Sequence, residues 1–416
     1  MEFFLKWVEE KLMPPMAKLA EQRHLRAVRD GIVATLPLII VGSFFLIVAS
    51  PPIPALAEKI QPYASQILIP FRLSVGLMAL YAAHGIGYSL AKSYNLDPVA
   101  GGLLALASFI MITLPQNVEK IGFVLPMGGL GGAGLFAAII MAFFAVEVLR
   151  FLTVRKITIK MPEGVPESVA RSFEALIPAA AIMVIIYIVR VMLNINIQEL
   201  IMNLFKPLVT AGDSLIGVLV PVILITLLWS AGIHGVSVVG SIARPIWMAL
   251  LDENTQAAAA GAKILPHIAP EPFFQWFIWI GGSGATLSLV LLMLTSKSRY
   301  LKNLGKASLL PGVCNINEPV IFGAPIMLNP ILAIPFIIGP VITAVISYIA
   351  MVFNLVGRPY VLAPWTLPAP IGAYLATGGD WRAVVLVLVN IALTTIIYYP
   401  FFKVYERKMM EEETES

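Results

Sequence analysis

This chain reads as an all-α polytopic membrane protein of about ten transmembrane helices, with re-entrant hairpins in its second half. Composition is the first ground. Of 416 residues 59% are apolar and only 12% charged, and the mean hydropathy is +0.88. Soluble domains carry about 25% charged residues, so this chain has too little polar surface for water. Run length is the second ground. The apolar residues fall in continuous stretches near the roughly 20 residues that cross a bilayer, not in the alternating segments of a β-barrel. Loop charge, which orients such proteins, is the third. Basic clusters lie at Lys18/Arg23/Arg26/Arg29, Arg150/Arg155/Lys156/Lys160, Lys297/Arg299/Lys302/Lys306 and Lys403/Arg407/Lys408. Loops 51–71 and 115–129 carry only Lys59 and Lys120 as basic residues, apart from Arg72 at a span edge. Counting crossings from a cytoplasmic N-terminus returns the 150–172 loop and the C-terminus to the cytoplasm, which favours an even number.

In chain order the expected spans are 31–50, 72–91, 98–114, 130–152, 173–193, 215–233, 274–295, 327–354 and 382–401, with 236–251 a tenth or a partial one. Residues 1–30 mix both charge signs and show no cleavage site, so no signal peptide is expected. They read as an interfacial helix broken at Pro14-Pro15. Segment 195–209 places Ile197, Leu200, Ile201, Leu204, Phe205 and Leu208 on one face and Gln198, Glu199, Asn203 and Lys206 on the other. That is an amphipathic helix for the membrane surface. It divides the chain into a half of five spans, 1–194, a linker, 195–212, and a second half, 213–416, where intramembrane polarity concentrates. No polar connection is long enough to fold alone, so any cytosolic catalytic domain is expected on a separate chain. The net charge of +4 is accounted for by loop orientation and suggests no nucleic-acid partner. A single cysteine, Cys314, excludes an intrachain disulfide and a multi-cysteine metal site. No metal or cofactor is expected.

The stretch "VCNINEPVIFGAPIMLNP", 313–330, sets Glu318 among Asn315, Asn317 and Pro319 within an apolar surround. A charge deep in a bilayer costs at least ~2.5–3.5 kcal/mol. Broken backbone survives there only inside protein or along a water-filled cavity. Polarity alone leaves two readings, a re-entrant hairpin lining a polar site or a cytoplasmic loop that contains a Glu. His234, in "LLWSAGIHGVSVVG", is either a hydrogen-bonding site residue or a satisfied interfacial one. His84 and His267 are weaker candidates, and His24 reads as a surface residue. The aromatics of "PFFQWFIWIGGSGATLSLVL" (272–291) suit an interfacial belt, and its GGSG is too generic for a phosphate loop. "APWTLPAPIGAYLATGGDW" (363–381) is an external Pro-rich loop or a cavity wall with Trp365 as a stacking ring. The connection "KMPEGVPESVARSFEALIP" (160–178), with Glu163 and Glu167, is a solvated loop or a docking surface.

These segments, together with "HLRAVRDGIVATLPLIIVGS", "AKSYNLDPVAGGLLALASF", "NINEPVIFGAPIMLNP" and "YLATGGDW", resemble the membrane-embedded enzyme IIC of the bacterial phosphoenolpyruvate-dependent sugar phosphotransferase system, in its lactose/cellobiose/diacetylchitobiose branch. The resemblance covers nearly the whole chain. It implies a multi-pass protein of the bacterial plasma membrane with both termini cytoplasmic. The N-terminal half would form a homodimer interface, and the C-terminal half would carry the sugar elevator-fashion. It implies that Glu318 and His234 contact the sugar near the hydroxyl to be phosphorylated, with Trp365 as a further sugar contact, and the amides of Asn315 and Asn317 offer donors and acceptors to its hydroxyls. Enzyme IIB, charged through enzyme IIA, would present a phosphocysteine to the 6-hydroxyl. Two departures stand out. Many relatives carry an aromatic residue where this chain has Cys314, and some carry fused IIA or IIB domains.

The leading expectation is therefore import of a β-linked disaccharide coupled to phosphorylation by a partner. The chain would be the membrane subunit of that complex, with the phosphodonor cysteine elsewhere. The residues alone also fit an ion-coupled secondary transporter using Glu318 as the ion site.

Overall fold

The computed structural model describes residues 14–15, 18, 21–49, 51, 54–159, 161–162, 164–166, 173–324, 326–327 and 329–415. Residues 1–13 of the expected interfacial helix lie outside these, as do Glu163 and Glu167. The fold divides into two compact units, one of Ala20–Gly42 and Ile69–Val209, the other of Ser43–Leu68 and Thr210–Ser416.

The first unit is built on α1 (Arg23–Ala49, whose last residues belong to the second unit), α2 (Met78–Ser93), α3 (Pro98–Thr113), α4 (Leu135–Val154) and α5 (Leu176–Tyr187). Helix α3 starts where the sequence dictates. Asp97 accepts from the Val99 and Ala100 N–H groups at 2.8 and 3.2 Å, and Pro98 follows at a position that needs no N–H. Helices α2 and α3 meet along small residues. A Cβ on Gly87 would come within 2.4 Å of Ala105, and one on Gly101 within 2.3 Å of Ala91. Such seams let backbones approach where lipid offers no hydrophobic drive. A two-stranded hairpin, β1 (Gln116–Val118) and β2 (Gly122–Val124), pairs Gln116 with Val124. It is a small β addition to a fold expected to be all-α.

Helix α5 runs through a π turn, Ile188–Met192, and bends by 85° into α6 (Ile197–Gly212). Helix α6 is the expected amphipathic element. Ile201 is buried, Phe205 stacks on Phe136 at 4.3 Å, and Leu200, Leu204 and Leu208 are exposed.

The second unit contains α7 (Leu215–Ser230), α8 (Gly235–Ala259), α9 (Glu271–Phe277), α10 (Leu287–Leu294), α11 (Arg299–Val313), α12 (Glu318–Gly323), α13 (Pro330–Val352), α14 (Ala369–Ala376) and α15 (Trp381–Glu415). Its core gathers around Phe273, Phe274, Trp276 and Phe277, all fully buried. The segment 236–251, expected as a tenth span or a partial one, is part of the continuous 25-residue α8, which is long and apolar enough to cross a membrane. The expected span 274–295 is not one helix. Helices α9 and α10 are separated by a turn in which Gly281, Gly282, Gly284 and Ala285 all have positive φ, between 54° and 98°. An α-helix cannot pass through that backbone. Among the described residues six helices are long and apolar enough to cross a membrane, or seven if the bent α5–α6 pair counts as one span. Helices α3 and α7, at 16 residues each, are shorter. The molecule is a multi-pass helical membrane protein.

Candidate functional site

Three interrupted segments of the second unit come together through side-chain amides. Helix α11 ends in a Schellman motif. Ile316 N–H donates to Pro311 O at 2.9 Å, Asn315 N–H donates to Gly312 O at 3.1 Å, and Asn315 takes the left-handed position at φ 61°. That turn buries the Asn315 side chain. Its Nδ2 donates to Trp365 O (2.8 Å) and Leu367 O (2.9 Å), and its Oδ1 accepts from Gly281 N–H (2.9 Å). Asn317 Nδ2 donates to Ser283 O at 2.7 Å. The irregular, buried backbone of 278–286 thus finds its partners in side chains rather than in a ladder. Thr286 Oγ1 donates to Gly281 O (2.6 Å), and Tyr398 OH donates to Gly284 O (2.8 Å).

The glycines are there for space as well as conformation. A Cβ on Gly282 would come within 2.5 Å of Asn317 Cγ, and one on Gly284 within 2.1 Å of the Phe336 ring. The turn "GGSG", generic as a sequence, is the seat on which the NINEP segment rests.

Glu318 follows as the first residue of α12, with Pro319 next, a helix start that needs no N–H. Its carboxylate is exposed rather than buried among apolar residues. The helix N-terminus favours that negative charge. Trp365 is 48% exposed, while its carbonyl is held by Asn315.

His234 caps α8. Its Nδ1 accepts from Ser237 N–H at 3.2 Å and lies 3.0 Å from Ser237 Oγ. A backbone N–H can only donate, so Nδ1 is the acceptor and a neutral ring carries its proton on Nε2. The ring packs against Trp229, centroids 4.4 Å apart. The preceding turn, with Gly232 at φ 87°, abuts the segment after α12: a Cβ on Gly232 would lie 2.9 Å from Met327 Cε. The GIHG turn therefore contacts the segment that follows α12.

The structure thus joins Asn315, Asn317 and the Trp365 loop through one seat, and brings the His234 turn against the segment that follows the Glu318 helix. Both asparagines are buried, with Asn315 using both its amide groups and Asn317 its NH2 on backbone. Sequence reasoning passed over Trp229, visible five residues before His234. It also passed over Tyr398, which no local pattern links to Gly284.

Residues 29–340 match the profile of the family described as "Phosphotransferase system, EIIC". The cellobiose-specific EIIC component of Geobacillus stearothermophilus is 41% identical, over 99% of this chain and 96% of the relative. The lichenan permease IIC component of Bacillus subtilis (strain 168) is also 41% identical, over 98% and 95%. The crystal structure of the transporter ChbC, the IIC component from the N,N'-diacetylchitobiose-specific phosphotransferase system, aligns with a TM-score of 0.94 at 40% identity, over 98% of this chain and 99% of that one. A profile that runs through most of the chain, and a fold shared almost end to end with ChbC, place it: the chain belongs to the EIIC family, the membrane permeases of the phosphotransferase system.

Proposed function

We propose that this permease imports a β-linked disaccharide of the cellobiose, lichenan-fragment or diacetylchitobiose type and presents its 6-hydroxyl to the phosphocysteine of enzyme IIB, itself charged by enzyme IIA. The observation that carries this reading is the amide-clamped seat. Asn315 and Asn317 act as positioning residues that fix three irregular segments, leaving the Glu318 carboxylate and the Trp365 ring exposed beside them. Trp365 stacks on a sugar C–H face. His234 donates from Nε2 to a sugar oxygen. Glu318 accepts the proton of the 6-hydroxyl as its oxygen attacks phosphorus. The O–P bond forms, the S–P bond breaks, the cysteine leaves as thiolate, and the proton passes from Glu318 to water. The product carries the phosphoryl charge, which opposes its return through an apolar barrier. Family membership favours this group translocation over ion coupling.

The same reading takes ten crossings, both termini in the cytoplasm, a homodimer formed through residues 1–194, and elevator movement of residues 213–416. Its support is the loop-charge pattern and the family.

The test is a panel of β-disaccharides offered to purified wild type, Glu318→Gln and His234→Ala, scored for binding and for phosphoenolpyruvate-dependent phosphorylation with the soluble partners. One sugar should bind wild type. Both variants should weaken that binding, and Glu318→Gln should slow phosphorylation by about 10²-fold or more. Unchanged binding and phosphorylation in both would remove these residues from the site. Uptake that follows an ion gradient without phosphoenolpyruvate would replace group translocation with ion coupling.

A further inference from the structure

The first unit contains a second cavity of different chemistry. It occupies about 800 Å³ between the start of α1 and the end of α2, and Arg23, Arg26 and Lys92 line it. Its size falls within the roughly 300–1,000 Å³ typical of small-molecule sites. Its one carboxylate, Asp30, is already engaged by Arg29 at 2.8 Å and Ser89 at 3.3 Å. Arg23 is held over the Tyr94 ring at 5.2 Å and makes no ion pair among the described residues. Arg26 and Lys92 are exposed, and neither makes an ion pair or side-chain hydrogen bond among the described residues. Among the described residues, three cations therefore converge on one cavity whose single carboxylate already has partners.

Beyond the cations the lining is mixed: His84, Tyr88, Ser89 and Ser93 bring polar groups, and Ala27, Ala34 and Gly85 form an apolar wall. On α1, positions 23, 27, 30 and 34 continue at helical spacing to Leu38 and Val41, which are 47% and 58% exposed. One face of α1 thus runs from cationic to apolar over a few turns. A ligand that matches it carries a negative head and an apolar tail. Basic pockets between transmembrane helices take such headgroups.

We propose that this groove binds an anionic phospholipid, with the headgroup phosphate on Arg23, Arg26 and Lys92 and an acyl chain along the Leu38–Val41 face. Arg26 donates through its planar fork to two phosphate oxygens, and Lys92 supplies a point charge. A zwitterionic lipid brings its own cation to the same place and binds less well.

The experiment uses full-length protein purified in detergent: wild type, an Arg26→Gln/Lys92→Gln double variant, and Lys263→Gln as a charge control. Each is supplied with phosphatidylglycerol or phosphatidylcholine, and native mass spectrometry measures the lipid retained. A basic residue near the headgroup is worth about fivefold in affinity, so the double variant should lose on the order of 30-fold in phosphatidylglycerol binding. The control should match wild type, phosphatidylcholine should be retained weakly by all three, and millimolar inorganic phosphate should not displace the lipid. Equal phosphatidylglycerol retention by wild type and double variant would overturn the proposal. Displacement by inorganic phosphate would reassign the groove to a free anion. If the double substitution instead changes the number of protein copies with no loss of lipid, the occupant is a second copy of this chain.

Discussion

Asn315 does two things with one residue. Its backbone tolerates the left-handed conformation that stops α11, and its side chain makes three hydrogen bonds to segments 34 to 52 residues away in sequence. The two functions separate by mutation. Asn315→Gly keeps the backbone conformation but leaves two carbonyls and one N–H without partners. Each buried group so orphaned costs about 1–3 kcal/mol. Asn315→Ala adds roughly 1 kcal/mol or more for a Cβ residue at positive φ. Thermal unfolding in detergent should rank wild type above Asn315→Gly above Asn315→Ala, and both variants should lose sugar binding because the Trp365 loop is no longer tethered. An Asn315→Gly protein that binds sugar as wild type does would show that the clamp does not position the site. The sequence displayed the polarity of "NINEP" plainly enough to make it a candidate site. It did not reveal which atoms each amide bonds, because those partners are backbone groups of distant segments and any residue type supplies them.

At the scale of elements, the turn between α9 and α10 is where pattern reading failed and physical reading recovers the reason. Residues 274–295 are apolar enough to span a bilayer, and hydropathy alone cannot distinguish a helix from a buried break. Four positive-φ residues make the difference, and they are accommodated because Asn315, Asn317 and Tyr398 satisfy the exposed backbone groups. Two glycines separate conformation from packing. Gly261 has φ 81° and open space for 4 Å around the point a Cβ would occupy, whereas Gly284 has φ 87° and the Phe336 ring 2.1 Å away. Gly261→Ala should therefore lose only the conformational term, about 1 kcal/mol. Gly284→Ala adds overpacking of another ~1–3 kcal/mol or more, and should either fail to fold or unfold at a markedly lower temperature. Equal stability of the two variants would mean that the turn relaxes away from Phe336. By contrast the amphipathic α6 was legible directly from its periodicity, and α3 starts at the expected residue 98, where the structure shows the Asp97 cap.

At the scale of the molecule, composition sufficed for the class: a chain this apolar has nowhere to fold but a bilayer. It could not foresee the polar junction at His267, a histidine with no motif around it. Asp213 Oδ1 accepts from the Ile268 and Ala269 N–H groups at 2.8 Å each, and its Oδ2 lies 3.1 Å from His267 Nδ1. Glu253 meets Nε2 at 2.6 Å, and Tyr348 OH donates to Asp213 O at 3.0 Å. The junction thereby ties the 265–269 loop to the α6–α7 connection, α8 and α13. Burial works against a charged imidazole here, but hydrogen bonds and charge from Asp213 and Glu253 outweigh it and raise His267 from 6.5 to about 9. The sign follows from linkage. A group whose folded pKa is raised contributes its full stabilisation below the unfolded value, and loses it as pH rises through the folded value. The stability difference between wild type and His267→Gln should therefore be constant below about pH 6.5, shrink between there and about pH 9, and level off above. Its full size should be on the order of 2–3 kcal/mol. Thermal unfolding of both proteins at pH 6, 7.5 and 9.5 measures it. A difference that does not change across that range would mean that His267 holds the junction as a neutral ring, through packing and hydrogen-bond geometry alone, and that the two carboxylates serve the backbone rather than a buried cation.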